Sequence, residues 1–173
     1  MHVVLETERL TLRRLVPDDL DALAVLYADP ELRRYFPEGT LDLEETREEL
    51  EWFLEGHPRR PELGLWATIE KTSGRFIGRC GLLPWTIDDV EEVEIAYLLD
   101  RQFWGRGLAT EAAAGIRDHG FGALGLDRMI SLIDPENVRS QRVAERIGMT
   151  LDRRVDGIDG DGIPTLIYAI TRS

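Results

Sequence analysis

The sequence predicts an α+β fold: a mixed, mostly antiparallel twisted sheet of six to seven strands, flanked by about four helices. Three observations lead there. Segments read as strands outnumber segments read as helices. Three of the former follow one another between Leu65 and Leu99 as a meander. A single β-loop-α-β-α segment occupies the second half. The 173 residues fit one domain, 1–173, with no repeat, low-complexity tract or linker to divide them.

Arg9 to Arg13 alternates polar with apolar as a half-buried strand, and Pro17-Asp18-Asp19 opens a helix through about Tyr27, which Asp29-Pro30 breaks. A second helix, acidic in its first turns, is expected from Leu43 to Leu54, where Leu43, Thr46, Leu50, Phe53 and Leu54 form a stripe. The meander comprises Leu65 to Glu70, Arg75 to Leu83 and Glu92 to Leu99, with turns at Thr72-Ser73-Gly74 and around Ile87-Asp88-Asp89. A glycine loop then enters a helix from Leu108 to about Phe121, whose small face is Ala109, Ala112, Ala113 and Ile116. Met129 to Ile133 is a strand and Val138 to Ile147 a helix stopped by Gly148. Leu151 to Val155 and Thr165 to Ile170 make a closing hairpin.

Composition narrows the function. The N-terminus lacks the basic and apolar regions of a signal peptide, and no apolar run reaches the ~20 residues that span a bilayer, so the expectation is a cytoplasmic protein without membrane contact. Cys80 stands alone, which leaves no intrachain disulfide and no thiolate zinc site, and it reads as a small buried strand residue. No metal is expected. A net charge of -12 disfavours nucleic acid and suits cationic or neutral partners.

The segment Gln102-Phe103-Trp104-Gly105-Arg106-Gly107-Leu108-Ala109 places glycines between a strand and a helix, where backbone N–H groups and the helix dipole suit phosphate oxygens. A Walker loop would need Lys and Ser or Thr after Gly107, and Leu108 is there instead. A dinucleotide loop would need a third glycine where Thr110 stands. A bare strand-to-helix turn stays open. The remaining phosphate reading is Gln102-x-x-Gly105-x-Gly107, which resembles the pyrophosphate loop of the GCN5-related N-acetyltransferase (GNAT) family.

The resemblance extends over nearly the whole chain and is strongest to the branch containing ribosomal-protein N-terminal acetyltransferases. Leu5 to Arg13 resembles its opening strand. Glu94 to Leu99 and Phe103 to Ala112 resemble its cofactor strand, loop and helix start. Asn137-Val138-Arg139-Ser140 with Val143 to Met149 resembles its Asn-x-x-Ser helix and following turn. The resemblance implies an acyl-CoA N-acyltransferase fold and acetyl-CoA as cofactor. It implies that the strand ending at Leu99 splays from the one after Arg128, with the pantetheine arm pairing to backbone around Tyr97, Leu98 and Leu99. The loop contacts are Gln102, Phe103, Trp104, Gly105, Arg106, Gly107, Leu108, Ala109 and Thr110. Asn137 would contact the arm and Ser140 would lie near the thioester. Asn137 also suits a helix N-cap and Ser140 an ordinary first-turn position.

Acetyl transfer to nitrogen requires a neutral amine, a proton acceptor and stabilisation of an oxyanion. Deprotonation at pH 7 costs about 1 kcal/mol for an α-amine near 8 and about 4.6 for a lysine amine near 10.4. Glu94 is the candidate base, because alternation puts it on the face of Ala96 and Leu98; the competing reading is an exposed Glu following Glu91 and Glu92. A backbone N–H on the same strand would polarise the carbonyl, and Ser140 would bond the departing thiolate. His2, His57 and His119 read as structural, the last at a helix end where a cation suits the dipole.

The resemblance places the acceptor between the first two helices and the hairpin loops. Tyr35, Phe36 and Trp85, with the loop Asp156 to Pro164, are therefore candidate walls, although aromatics equally serve cores. The acidic loop misses the spacing of a calcium loop and reads as a hairpin turn. Acceptors consistent with the sequence are a protein or peptide N-terminus or an amine-bearing small molecule such as an amino acid, polyamine or antibiotic. A non-catalytic acyl-CoA-binding regulator is the rival class, and a homodimer is compatible with the resemblance.

Overall fold

The computed structural model describes residues 1–158 and 160–173. Its strands are β1 (Val3–Glu6), β2 (Leu10–Arg14), β3 (Gly64–Glu70), β4 (Phe76–Ile87), β5 (Val90–Leu99), β6 (Arg128–Ile133), β7 (Thr150–Asp156) and β8 (Pro164–Thr171). The helices are α1 (Leu20–Tyr27), α2 (Leu43–Phe53), α3 (Leu108–Phe121) and α4 (Val138–Arg146). One sheet holds all eight strands in the order β1-β2-β3-β4-β5-β6-β8-β7. Every neighbouring pair is antiparallel except β5 and β6. The predicted α+β class is the observed one, with one strand more than the upper expectation.

The extra strand is β1. Thr7 to Arg9 turns the chain, so the segment read as one opening strand is a hairpin, with Leu5 opposite Leu12. Glu111 on α3 holds this turn: its carboxylate accepts from the Thr7 hydroxyl at 2.6 Å, the Arg9 amide at 2.7 Å and Arg9 Nε at 2.6 Å. The first predicted helix begins as a 3-10 turn, Pro17–Asp19, before α1. Helix α2 starts on a reciprocal cap in which Glu45 N donates to the Asp42 carboxylate and Asp42 N to Glu45.

β4 continues past the predicted end at Leu83, through Pro84 to Ile87, and a two-residue turn at Asp88-Asp89 returns it into β5. Both turn residues have positive φ, 51° and 62°, as a tight hairpin turn demands. Pro84 is tolerated because β3 pairs with β4 only as far as Leu82, leaving an open side there.

Alternation along the strands divides the core into two layers. Leu12, Ile77, Leu82, Ile95 and Leu99 pack with Ala112, Ala113, Ile116, Val143 and Ala144, so α3 and α4 cover one face. Leu65, Ala67, Ala96 and Leu98 pack with Leu23, Leu26, Tyr27, Leu50 and Phe53, so α1 and α2 cover the other. Small residues on α3 permit close approach: a Cβ on Gly120 would lie 2.5 Å from the Met129 sulfur.

The parallel junction is the sheet's weak seam. Among the described residues, β5 and β6 share only the pair Glu94 and Ile130, and beyond it Ala96 to Leu99 has no strand partner on that side. The buried Ser131 hydroxyl donates to the Ile95 carbonyl at 2.9 Å and pins the point where the strands part.

Candidate active site

The glycine loop follows β5 through a 3-10 turn, Arg101–Phe103, capped by Asp100 accepting from Gln102 N at 3.0 Å. Gly105 and Gly107 have φ of 76° and 75°. A Cβ on Gly105 would meet nothing within 4 Å and one on Gly107 only Arg9 Nη2 at 3.6 Å, so glycine is required here by backbone conformation, not by space. Gly107 then caps α3, and the amides of Leu108, Ala109 and Thr110 are the orphan donors of its first turn. Arg9 braces the loop by donating from Nη1 to the Arg106 carbonyl at 2.9 Å. The Arg106 side chain itself turns to Glu70 and lies over the Phe103 ring. Gln102 is exposed. Backbone donors gathered at a helix N-terminus make an anion-binding site.

Trp104 is fixed at both ends: its indole N–H donates to the Leu99 carbonyl at 2.9 Å, and the Arg139 guanidinium stacks 3.8 Å from its ring centroid. One carbonyl of the expected pantetheine edge is thus occupied by the loop. On the far side of the seam, Asn137 caps α4 by accepting from Ser140 N at 3.2 Å. The Tyr97 hydroxyl donates to the Ser140 carbonyl at 2.8 Å, and Ser140 Oγ donates back to the Tyr97 oxygen at 3.0 Å. Burial raises the Tyr97 phenol above its ordinary range. Tyr97 therefore contributes a side-chain bridge across the seam as well as a stretch of β5 backbone.

Glu94 lies at the apex of the seam, on the face of Ala96 and Leu98 and opposite Leu83. Burial pushes its carboxyl up to about 7, against the Trp85 indole, the Arg79 charge and the Leu132 amide, which favour the ionised form. The Trp85 Nε1–H donates to Glu94 Oε2 at 2.7 Å. Of the other candidate walls, Tyr35 donates from its hydroxyl to the Glu136 carbonyl at 3.3 Å, bridging to the loop before α4. Phe36 lies under Arg33 at 4.1 Å and near Arg79 at 5.5 Å. Loop 157–163 connects β7 and β8 as the predicted hairpin; its Asp159 lies outside the described residues.

Arg79, Arg33, Arg9 and Arg139 have no place in the sequence reading of the site. Arg79 alone had an available signal, a basic residue in an apolar strand segment between Gly78 and Cys80. His119 packs within the fold at the end of α3. Burial lowers its pKa and sets it edge-on to Trp66 at 5.8 Å, so the neutral ring is favoured in place of a cation at the helix end. His57 is likewise lowered by burial, and Cys80 is buried. Among the described residues no helix is long and apolar enough to cross a membrane.

Comparison with known proteins agrees with this geometry. A family profile described as "Acetyltransferase (GNAT) domain" matches residues 9–150. The uncharacterized protein YkkB of Bacillus subtilis is 36% identical over 152 residues, 87% of each chain. An uncharacterized N-acetyltransferase, p20 of Bacillus licheniformis, is 35% identical over 79% of this chain and 76% of its own. A GNAT-family acetyltransferase from Bacillus anthracis superposes with a TM-score of 0.84 at 25% identity, covering 99% of this chain and 98% of that one. RimL, a ribosomal L7/L12 alpha-N-protein acetyltransferase solved with coenzyme A, gives 0.78 at 20% identity over 98% of both chains, a likeness of fold. The chain belongs to the GNAT acetyltransferase family and is an acetyl-CoA-dependent N-acetyltransferase.

Proposed function

We propose that the chain, acting as one domain over residues 1–173, transfers acetyl from acetyl-CoA to a primary amine, with Glu94 as general base. The observation that carries this reading is a carboxyl at the apex of the seam whose burial brings it up to about 7. A base is most effective when its pKa lies near the working pH, and at that value about half of the enzyme holds the accepting form at neutrality. Acetyl-CoA supplies the activated acetyl group. The chain's own groups do the rest. Amides between Gly105 and Thr110 receive the pyrophosphate, and the free edge of β5 at Tyr97 to Leu99 receives the arm with help from Asn137. Glu94 accepts the amine proton directly or through one water. The Ser140 hydroxyl, which donates to the Tyr97 oxygen, turns its proton to the leaving sulfur at the start of α4.

The acceptor named for RimL is a protein α-amine, and the low cost of deprotonating an α-amine keeps a protein N-terminus, in the ribosomal-protein branch, within this proposal. The test is release of free thiol from acetyl-CoA with a panel of peptides, amino acids and polyamines. Glu94→Gln should lower turnover by about 100-fold or more while coenzyme A affinity stays within about twofold. An unchanged rate and pH profile in that variant removes Glu94 from the chemistry.

A further inference from the structure

A second charge lies on the same face as Glu94. Arg79 on β4 is opposite Leu98, and Leu83, four positions on, is opposite Glu94. Between them Gly81 faces Ala96, so small residues form the stretch of sheet that separates the two charges. The backbone distance is about 13 Å at ~3.3 Å per residue. The Arg79 charge acts on Glu94, favouring its ionised form.

Arg79 is only 5% exposed, and an arginine so deeply placed is nearly always paired. Its Nε donates to the Tyr27 hydroxyl at 3.0 Å, which donates in turn to Glu49 at 2.7 Å. Its two terminal nitrogens have no hydrogen bond and no carboxylate within 4.0 Å among the described residues, yet they are not sealed from solvent. Arg33, 4% exposed, has its needs met nearby: Nε donates to the Gly39 carbonyl at 2.7 Å and Glu38 approaches Nη2 at 3.8 Å. Both guanidiniums lie within 6 Å of the Tyr27 and Phe36 rings, so two like charges share one aromatic site. The nearby carboxylates are engaged elsewhere, Glu49 by the Tyr27 hydroxyl and Glu38 by Arg33, and neither bonds the Arg79 fork.

We propose that the open fork of Arg79 binds a carboxylate carried by the acceptor, so that the substrates are amines with a carboxylate a few bonds from the nitrogen. This rests on Glu94 marking the position of the amine. A planar carboxylate satisfies both terminal nitrogens in a bidentate pair. Polyamines, having no anion, would leave the fork unpaired. The carboxylate comes either from a free amino acid or from an acidic first residue of a peptide.

Matched pairs distinguish these sources without altering the protein: free amino acids beside their α-carboxamides, and peptides beginning with Asp or Glu beside those beginning with Asn or Gln. In at least one set the acid should exceed its neutral partner in kcat/KM by about 100-fold, as expected when a buried charge loses its mate. The same acids, without acetyl-CoA, should raise the melting temperature while the amides do not. In Arg79→Gln the gap should close because the acid loses its advantage, while both partners fall together at neutral pH as Glu94 loses the charge that favours its ionised form; Arg79→Lys, which keeps charge but loses the fork, should recover part of the gap. Equal turnover of acids and neutral partners overturns the assignment, as does an acid preference that survives Arg79→Gln. Thiol release from no amine at all is a different result, which strikes the transfer reading itself. If Arg79→Gln does not fold, the wild-type pairs still decide.

Discussion

Glu94 and Trp85 are diagonal neighbours on β5 and β4, since Trp85 pairs with Glu92 and Leu83 with Glu94. The indole N–H favours the ionised carboxylate, opposing the burial that raises its pKa to about 7. Removing that donor in Trp85→Phe should raise the acid limb of the kcat/KM profile by about one pH unit, because a hydrogen bond to a charged group is worth about 1.5–3 kcal/mol. Activity should fall at neutral pH and recover on the alkaline side; a limb that does not move separates Trp85 from the base. The candidate base was legible in the sequence because a carboxylate alternating with Ala96 and Leu98 is out of place on an apolar face. Its partner was not. With β4 read as ending at Leu83, no register linked Trp85 to β5. Arg79 was hidden for another reason: its burial depends on Tyr27, Glu49 and Phe36, which are brought to it by other elements.

At the scale of elements, the loop entering α3 depends on backbone conformation. Gly107 has φ of 75°, and a Cβ there would meet only Arg9 Nη2 at an ordinary contact distance of 3.6 Å, so Gly107→Ala tests conformation without a clash. An L-residue in the left-handed region costs about 1–2 kcal/mol, and relaxing that strain would re-aim the amides of the helix's first turn. The expected result is a lower melting temperature and an acetyl-CoA KM raised about tenfold, with kcat little altered. A variant with native KM would show that these amides do not hold the donor. α2, α3, α4 and the meander were legible, each carrying a strong period and a clear stop such as Gly148. β1 was not: four residues at the sheet edge, only two of them even half-buried, give alternation nothing to register. The β4–β5 turn was placed at the right residues, but its strands were read as ending short of it because Asp-Asp is not the usual pair for a two-residue turn that requires positive φ at both positions.

Across the whole molecule, Glu111 ties the first hairpin to α3 over more than a hundred positions of sequence. Burial alone would raise its pKa, but hydrogen bonds from Thr7 and Arg9 outweigh this and hold the carboxyl below the ordinary carboxylate range. The folded group titrates below its unfolded value, so its stabilisation is present above the unfolded value and is lost as pH falls through the folded one. Glu111→Gln should therefore lower stability by about 2 kcal/mol at neutral pH. The difference in melting temperature from wild type should close as the pH drops below the carboxylate range; a constant difference would mean that its charge contributes nothing. The sheet adds a consequence that concerns connectivity. A hairpin such as the one at Asp88-Asp89 staples two strands at one end and dictates every pairing along them. The crossover from Leu99 through α3 to Arg128 joins the end of one strand to the beginning of the next and dictates none. The β2–β3 and β6–β8 junctions also lack a hairpin, but they are held by five and six residue pairs, whereas β5 and β6 share one among the described residues, so the fold can open a cleft there without breaking register elsewhere.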